Sequence, residues 1–303
     1  MALGYDGKLY ILAFDHRGSF QKKMLGISGT PSPDDRKRTE DAKSVIFDGM
    51  VIAAEGGEDP SVMGVLVDEE SGSDIPIQAR KHGLKLAMPV EKSGQDVFDF
   101  EYGDEFGDHI GRFDPDFSKV LVRHNPDSKD REANVLQIHR LRRLSDWLHD
   151  RDRKFLFELL VPAEEDQLAR VDGSTDRYDA EVRPDLMRRA IAEFQDAGIE
   201  PDVWKIEGVE SQADCVTLAD QARSGGRDGV ACVVLGRGAD EAKVDQWLQA
   251  AAPVEGFVGF AIGRSIWWDA LKDHLDGSLE REVAAGKIAE NYLRFIEVYR
   301  AAE

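Results

Sequence analysis

A chain of 303 residues, 42% of them hydrophobic, has ample material for a core and suits one large α/β domain or two small ones. Its formal net charge of −20 argues against nucleic acid and anionic membranes as partners, because binding a polyanion needs a basic face. No run approaches the ~18 consecutive apolar residues of a membrane span, and two cysteines, Cys215 and Cys232, are too few for a disulfide framework and read as buried free thiols.

The opening residues, Met1-Ala2-Leu3-Gly4-Tyr5-Asp6-Gly7, have neither a basic start nor an apolar signal core, so a cytoplasmic location is expected. From there, short apolar runs flanked by Gly, Pro or Asp alternate with longer segments of helical periodicity. That is the pattern of repeated βα units around a parallel sheet. The predicted strands are Lys8–Asp15, Val62–Asp68, Leu84–Val90, Lys119–Arg123, Phe155–Val161, Val203–Glu207, Val230–Gly236 and Gly256–Ile262. Between the fourth and fifth, Glu132 to His149 sets Val135, Ile138, Leu141, Leu144 and Leu148 on one helical face. Gln212–Arg223 and Glu241–Ala252 behave similarly, and Ile288, Tyr292, Phe295, Ile296 and Tyr299 form the stripe of a docked C-terminal helix. Eight βα units in about 300 residues predict one (β/α)8 TIM barrel spanning 1–303. An open doubly wound sheet is the structural alternative. Two segments, 94–118 and 163–183, exceed an ordinary barrel loop. Both follow strands, on the face where barrels build their sites, and read as lids or as oligomer contacts.

The strand ends carry the chemistry. Strand one ends in Ala13-Phe14-Asp15-His16-Arg17-Gly18, strand three in Glu91-Lys92-Ser93-Gly94, and strand five carries Glu158 inside Phe155-Leu156-Phe157-Glu158-Leu159-Leu160. Strand six, Val203-Trp204-Lys205-Ile206-Glu207, places an ammonium in an apolar run. Burying a charge costs several kcal/mol unless it is paired or neutralised, so Lys205 is either an ion-pair partner, with Glu207 the obvious mate, or a chemical tool. A desolvated, neutral lysine attacks carbonyls to form Schiff bases. Glu158 and Asp15 are candidate acid/base groups. One of Glu91 and Lys92, adjacent on a strand, is expected to enter the site; Lys92 near Lys205 would favour the neutral amine by like-charge repulsion. Strand seven ends in Gly236-Arg237-Gly238 and strand eight in Gly263-Arg264-Ser265. Paired Gly-Arg ends at these two strands read as a phosphate grip, with tight turns bearing surface arginines as the plainer reading.

No His-x-His, His-x-x-His or His-Glu-x-x-His pattern is present, so metal chemistry is poorly supported. Neither Gly-x-Ser-x-Gly nor a Gly-x-Gly-x-x-Gly after strand one occurs, which removes the signals of serine hydrolysis and nicotinamide binding. No cofactor is expected.

In order along the chain, Ala13-Phe14-Asp15-His16-Arg17-Gly18, Glu91-Lys92-Ser93-Gly94, Glu158, Val203-Trp204-Lys205-Ile206-Glu207 and Gly263-Arg264-Ser265 resemble the class I aldolases of the tagatose-1,6-bisphosphate and sulfofructose-phosphate type. The likeness is closer to the aldolase-like domain of myo-inositol catabolism, which is associated with 2-deoxy-5-keto-gluconate 6-phosphate. That resemblance implies a barrel with Lys205 as Schiff-base lysine, Glu158 as acid/base and Arg264 as phosphate ligand. Asp15 and Lys92 would stand beside the substrate, and His16, Arg17, Gly236, Arg237, Gly263 and Ser265 would complete its binding. One departure is Asp15-His16-Arg17 where the tagatose-type enzymes tend to have Asp-Gln-Arg, which leans toward the inositol branch. The expected activity is cleavage of a phosphorylated keto-sugar or keto-acid by a homo-oligomer. A non-catalytic sugar-phosphate-binding barrel and an isomerase with Lys205 as base are the alternatives.

Overall fold

The computed structural model describes residues 2–70 and 74–303. Among them, eight parallel strands close in sequence order into a barrel: β1 (Leu9–Ala13), β2 (Met63–Leu66), β3 (Lys85–Pro89), β4 (Phe117–Arg123), β5 (Lys154–Leu160), β6 (Val203–Glu207), β7 (Ala231–Leu235) and β8 (Phe257–Ile262). β1 pairs with both β2 and β8, so the sheet has no free edge. The (β/α)8 expectation holds, and the doubly wound alternative is excluded by this closure.

Side-chain alternation sorts each strand between two cores. Leu12, Val65, Met88, Val122, Phe157 and Trp204 face the helical layer. Leu9, Ile11, Ala87, Phe117, Leu156 and Val203 fill the barrel interior. The interior is therefore apolar at its floor, and the charged residues further along the same strands stand on that floor. The helix Arg281–Ala302 buries the expected stripe of Ile288, Tyr292, Phe295, Ile296 and Tyr299. Its Tyr292 hydroxyl donates to the Tyr10 carbonyl at 2.7 Å, which ties the chain's end to β1. Both cysteines are buried and unbonded to each other. No helix among the described residues is long and apolar enough to cross a membrane.

Three details differ from the sequence reading. β4 begins at Phe117, two residues before the predicted Lys119, which moves that lysine into the middle of the alternation. The helix after it, Arg131–His149, buries Leu141, Leu144 and Leu148 but leaves Val135 67% exposed. Its first turns bury Asn134 and Gln137 instead, because these amides donate to the Asn125 and Arg123 carbonyls at the polar end of β4. The segments 94–118 and 163–183 both contain helices. The first contains the helix Phe106–Phe113 and runs into β4; the second contains Glu165–Ala169 and Thr175–Glu181. Glu91 and Phe100 bridge antiparallel, so the chain leaves β3 as a short hairpin.

Candidate active site

A cavity of about 970 Å³ opens at the C-terminal end of the barrel, where βα loops build the sites of this architecture. Its floor is an ionic cluster. Lys119 Nζ, on β4 and 1% exposed, lies 2.7 Å from Asp15 Oδ2, 2.7 Å from Glu91 Oε1 and 3.0 Å from Glu158 Oε2. Lys205 Nζ, on β6, lies 3.0 Å from the same Glu158 oxygen. The pairing explains the meeting: Glu158 and Lys205 are direct neighbours in the β5–β6 register, and Lys119, Glu158 and Lys205 all have interior parity.

The charges are unevenly held. Burial opposes ionisation of Asp15 and Glu158, but Lys119 and Lys205 outweigh it and hold both carboxyls below the usual range. Burial wins at Glu91 and raises its pKa despite Lys119 and Arg17. Its Oε2 is buried without a hydrogen-bond partner. Burial opposes the charge of Lys119, but its three carboxylates more than compensate and push its pKa up.

Around this floor, His16 packs edge-on against Trp267 with ring centroids 5.7 Å apart, and its Nδ1 has no partner. Burial, more than any neighbouring charge, lowers its pKa to about 4, so the imidazole is neutral at pH 7. Arg17 is turned to structural use: it donates to the Glu91 carbonyl at 2.5 Å and to Glu101 at 3.0 Å, clamping the β1 turn onto the hairpin after β3. Lys92 lies exposed at the rim. Of the adjacent pair, Glu91 reaches the floor.

Beyond β7 and β8, Arg264 opens the helix Arg264–Leu275, which has no side-chain cap at Gly263. Its guanidinium donates to the Arg237 carbonyl and makes no ion pair among the described residues. Desolvation and the positive charge of Arg237 lower its pKa. A Cβ at Gly263 would sit 2.3 Å from the Ala13 carbonyl, and one at Gly238, whose φ is +74°, would strike the Arg264 guanidinium at 2.6 Å. Gly263 is thus required by close approach to backbone, and Gly238 by its left-handed φ. Ser265 spends its hydroxyl on the Ala239 carbonyl at 2.7 Å. Gly236 packs under Ile262. Arg237 sits at the left-handed φ of 51° and is held by Asp179 at 2.7 Å and Glu207 at 3.0 Å.

Glu207 does not pair with Lys205. It accepts from Arg183 at 3.0 Å and from the Val161 amide at 2.9 Å, so the expected Lys205–Glu207 pair is absent and the carboxylate beside the lysine is Glu158 instead. The residue missed in the sequence is Lys119. The signal was present in Phe117-Ser118-Lys119-Val120-Leu121-Val122, the same lysine-in-apolar-strand pattern as Lys205. It was obscured by starting the strand at Lys119. Among the described residues, no group of three or more His, Cys, Asp or Glu is arranged to hold a metal ion.

No curated protein sequence matches the chain. Among solved structures, fructose-bisphosphate aldolase from Plasmodium falciparum, crystallised with TRAP and a small-molecule inhibitor, is similar with a TM-score of 0.66 at 13% identity, over 98% of this chain and 90% of that one. Cgl0159 from Corynebacterium glutamicum is similar with a TM-score of 0.57 at 17% identity, over 97% of this chain and 88% of that one. At these identities the likeness is one of fold, a TIM barrel of the kind found in an aldolase. The family model described as "Uncharacterized protein conserved in bacteria (DUF2090)" matches residues 5–303, and the chain belongs to that family.

Proposed function

We propose that the protein is a carbon–carbon lyase that works through a Schiff base on Lys205, acting on a phosphorylated keto-sugar or keto-acid. One observation carries the reading: among the described residues the buried Lys205 has a single carboxylate contact, Glu158 Oε2, and shares that oxygen with Lys119. Lys119, gripped by three carboxylates, is the permanent cation. Lys205, held by fewer carboxylates, is the amine this reading makes the nucleophile, with Glu158 3.0 Å away.

In this mechanism Glu158 takes the Lys205 proton and the amine attacks the substrate ketone. The carbinolamine loses water to give an iminium. A carboxylate, Glu158 or Asp15, then removes the proton from the hydroxyl two carbons from the imine carbon. The carbon–carbon bond breaks, its electron pair moves into the iminium as an enamine, and an aldehyde leaves. Reprotonation at carbon and hydrolysis of the imine release the keto-phosphate and restore the lysine. Lys119 stabilises the carboxylate forms throughout. The phosphate is read at Arg264 and the helix N-terminus it opens, where a cation without a carboxylate partner and unpaired N–H groups suit an anion. Among substrates of this class, the resemblance to the inositol-pathway domain makes 2-deoxy-5-keto-gluconate 6-phosphate the first candidate, with dihydroxyacetone phosphate and malonate semialdehyde as products.

Borohydride reduction in the presence of dihydroxyacetone phosphate should add the mass of the reduced adduct to Lys205. A wild-type protein that forms no adduct, or an adduct on Lys119, overturns the assignment.

A further inference from the structure

Among the described residues, the non-glycine positions with a left-handed backbone are Asp114, Asp152, Asp172 and Arg237. Aspartate visits that region readily, because its short polar side chain bonds locally. Arg237 is the exception, and of the four it alone lines the cavity. Something must hold it there.

The holder is a closed ring of charge. Arg237 Nη1 lies 2.7 Å from Asp179 Oδ2, and its Nε lies 3.0 Å from Glu207 Oε1. Arg183 Nη1 contacts the same two carboxylates, Asp179 at 3.1 Å and Glu207 at 3.0 Å. Two arginines and two carboxylates therefore alternate, each touching both of its opposites. The ring is fastened to the scaffold: Glu207 ends β6 and accepts from the Val161 amide, and Arg183 donates to the Gly208 carbonyl at 3.1 Å. Asp179 lies on the helix Thr175–Glu181 and Arg183 opens the helix Arg183–Asp196.

What the left-handed turn delivers is a carbonyl. The Arg237 carbonyl accepts from the Arg264 guanidinium. The Ala239 carbonyl, two residues on, accepts from Ser265, so one short turn after β7 fixes the start of the helix after β8. Returning residue 237 to a right-handed or extended backbone would turn its peptide and take that acceptor away from Arg264.

We propose that Arg237 is a positioning residue: clamped in the charge ring, it holds the turn that aims Arg264, and it does not touch the substrate. The inference rests on the phosphate reading of Arg264 given above. It separates two arginines that stand in the same Gly-Arg setting at neighbouring strand ends. Arg237 is matched by two carboxylates, whereas Arg264 has none among the described residues and is left for an anion. It also gives the segment 163–183 a task, because Asp179 belongs to it.

The test is calorimetric titration with glycerol 3-phosphate. Arg237→Gly, Arg237→Asn, Arg237→Ala and Arg237→Val all remove the same charge but differ in tolerance of a left-handed φ. Affinity should follow that tolerance, with the Gly and Asn variants highest, Ala about fivefold weaker and Val about tenfold weaker. Equal losses in all four would mean that the charge itself meets the phosphate, and would overturn the proposal. In an Arg264→Gln background the difference between Asn and Ala should vanish, since the turn acts through that guanidinium. A difference that persists there would put the phosphate on the turn's own amides and overturn the positioning role. Borohydride trapping with dihydroxyacetone, which carries no phosphate, should modify Lys205 equally in the Asn and Ala variants. A parallel loss would mark general damage to the site and equally overturn it. Wild-type protein that binds no glycerol 3-phosphate overturns the phosphate reading and the proposal together. An affinity series that follows the backbone, with no borohydride adduct, overturns only the lyase reading.

Discussion

Lys119 and Lys205 contact a single oxygen, Glu158 Oε2, at 3.0 Å each. Two ammoniums that share one carboxylate cannot be equally satisfied. The division is visible in the remaining contacts, since Lys119 has Asp15 and Glu91 as well. Lys119→Met leaves Asp15 and Glu91 without their ammonium and Glu158 with Lys205 alone, and breaking such a cluster from one side costs about 3–5 kcal/mol. Urea unfolding at pH 7 should register that loss. At pH 5 the loss should shrink, because carboxylates deprived of the ammonium take up protons and become neutral. An equal loss at both pH values would mean that Lys119 acts by packing alone.

In the wild type the pH dependence has two signs within one cluster. Asp15 and Glu158 are held below their ordinary range, so the stability they contribute is present above that range and is lost as the pH falls. Glu91 is raised, so its contribution is present at low pH and fades as the pH rises through its folded value. His16 adds to the acid sensitivity. Its folded pKa of about 4 lies below the ordinary imidazole value of 6.5, so the unfolded chain binds the extra proton between those values and stability drops as the pH falls from 6.5 to 4. His16→Gln should therefore lose roughly 2–3 kcal/mol less than the wild type between pH 7 and pH 4. An NMR titration should place the His16 midpoint near 4, and a midpoint above 6 would remove this explanation.

Arg264 separates binding from stability. Its guanidinium is partly buried beside Arg237 without a carboxylate, an arrangement that favours an anion over the empty site. Arg264→Gln should raise KM for the phosphorylated substrate by about 10- to 100-fold, the value of one charge-assisted contact. The melting temperature should stay level or rise, as expected where a binding group is unfavourable to the fold. A fall in melting temperature would mark Arg264 as a structural residue.

The barrel was legible because strand and helix periodicities differ and repeat eight times, and the strand-end positions of Asp15, Glu158, Lys205 and Arg264 followed from it. Other features were hidden for identifiable reasons. Lys119 escaped because a two-residue difference in where a strand begins decides whether a charge looks flanking or interior. The partner of Glu207 could not be read locally: Arg183 lies 24 residues away, on the helix Arg183–Asp196. Arg17 carries the same kind of charge as Arg264 at a neighbouring strand end. Only the position of Glu101 in the hairpin after β3 turns it into a clamp.

The opposite end of β6 supplies the control for these variants. Asp202 immediately precedes the strand and is 1% exposed. Its carboxylate accepts from the Gly4 amide at 2.8 Å, the Phe155 amide at 2.9 Å and Lys154 Nζ at 2.9 Å. Lys154 also donates to the Ala2 and Gly4 carbonyls at 2.8 Å, so one carboxylate fastens the chain's beginning under the barrel. Gly4 is confined there at a φ of +108°, and a Cβ would lie 1.8 Å from the Gly229 carbonyl. Asp202→Ala removes the acceptor for two buried amides and one ammonium, which should lower the unfolding free energy by about 2–4 kcal/mol. The site is built at the other end of the strand, so the borohydride adduct on Lys205 should form at the wild-type rate below the new melting temperature. A destabilised variant that also loses the adduct would show that the floor of the barrel and its catalytic face are coupled through β6.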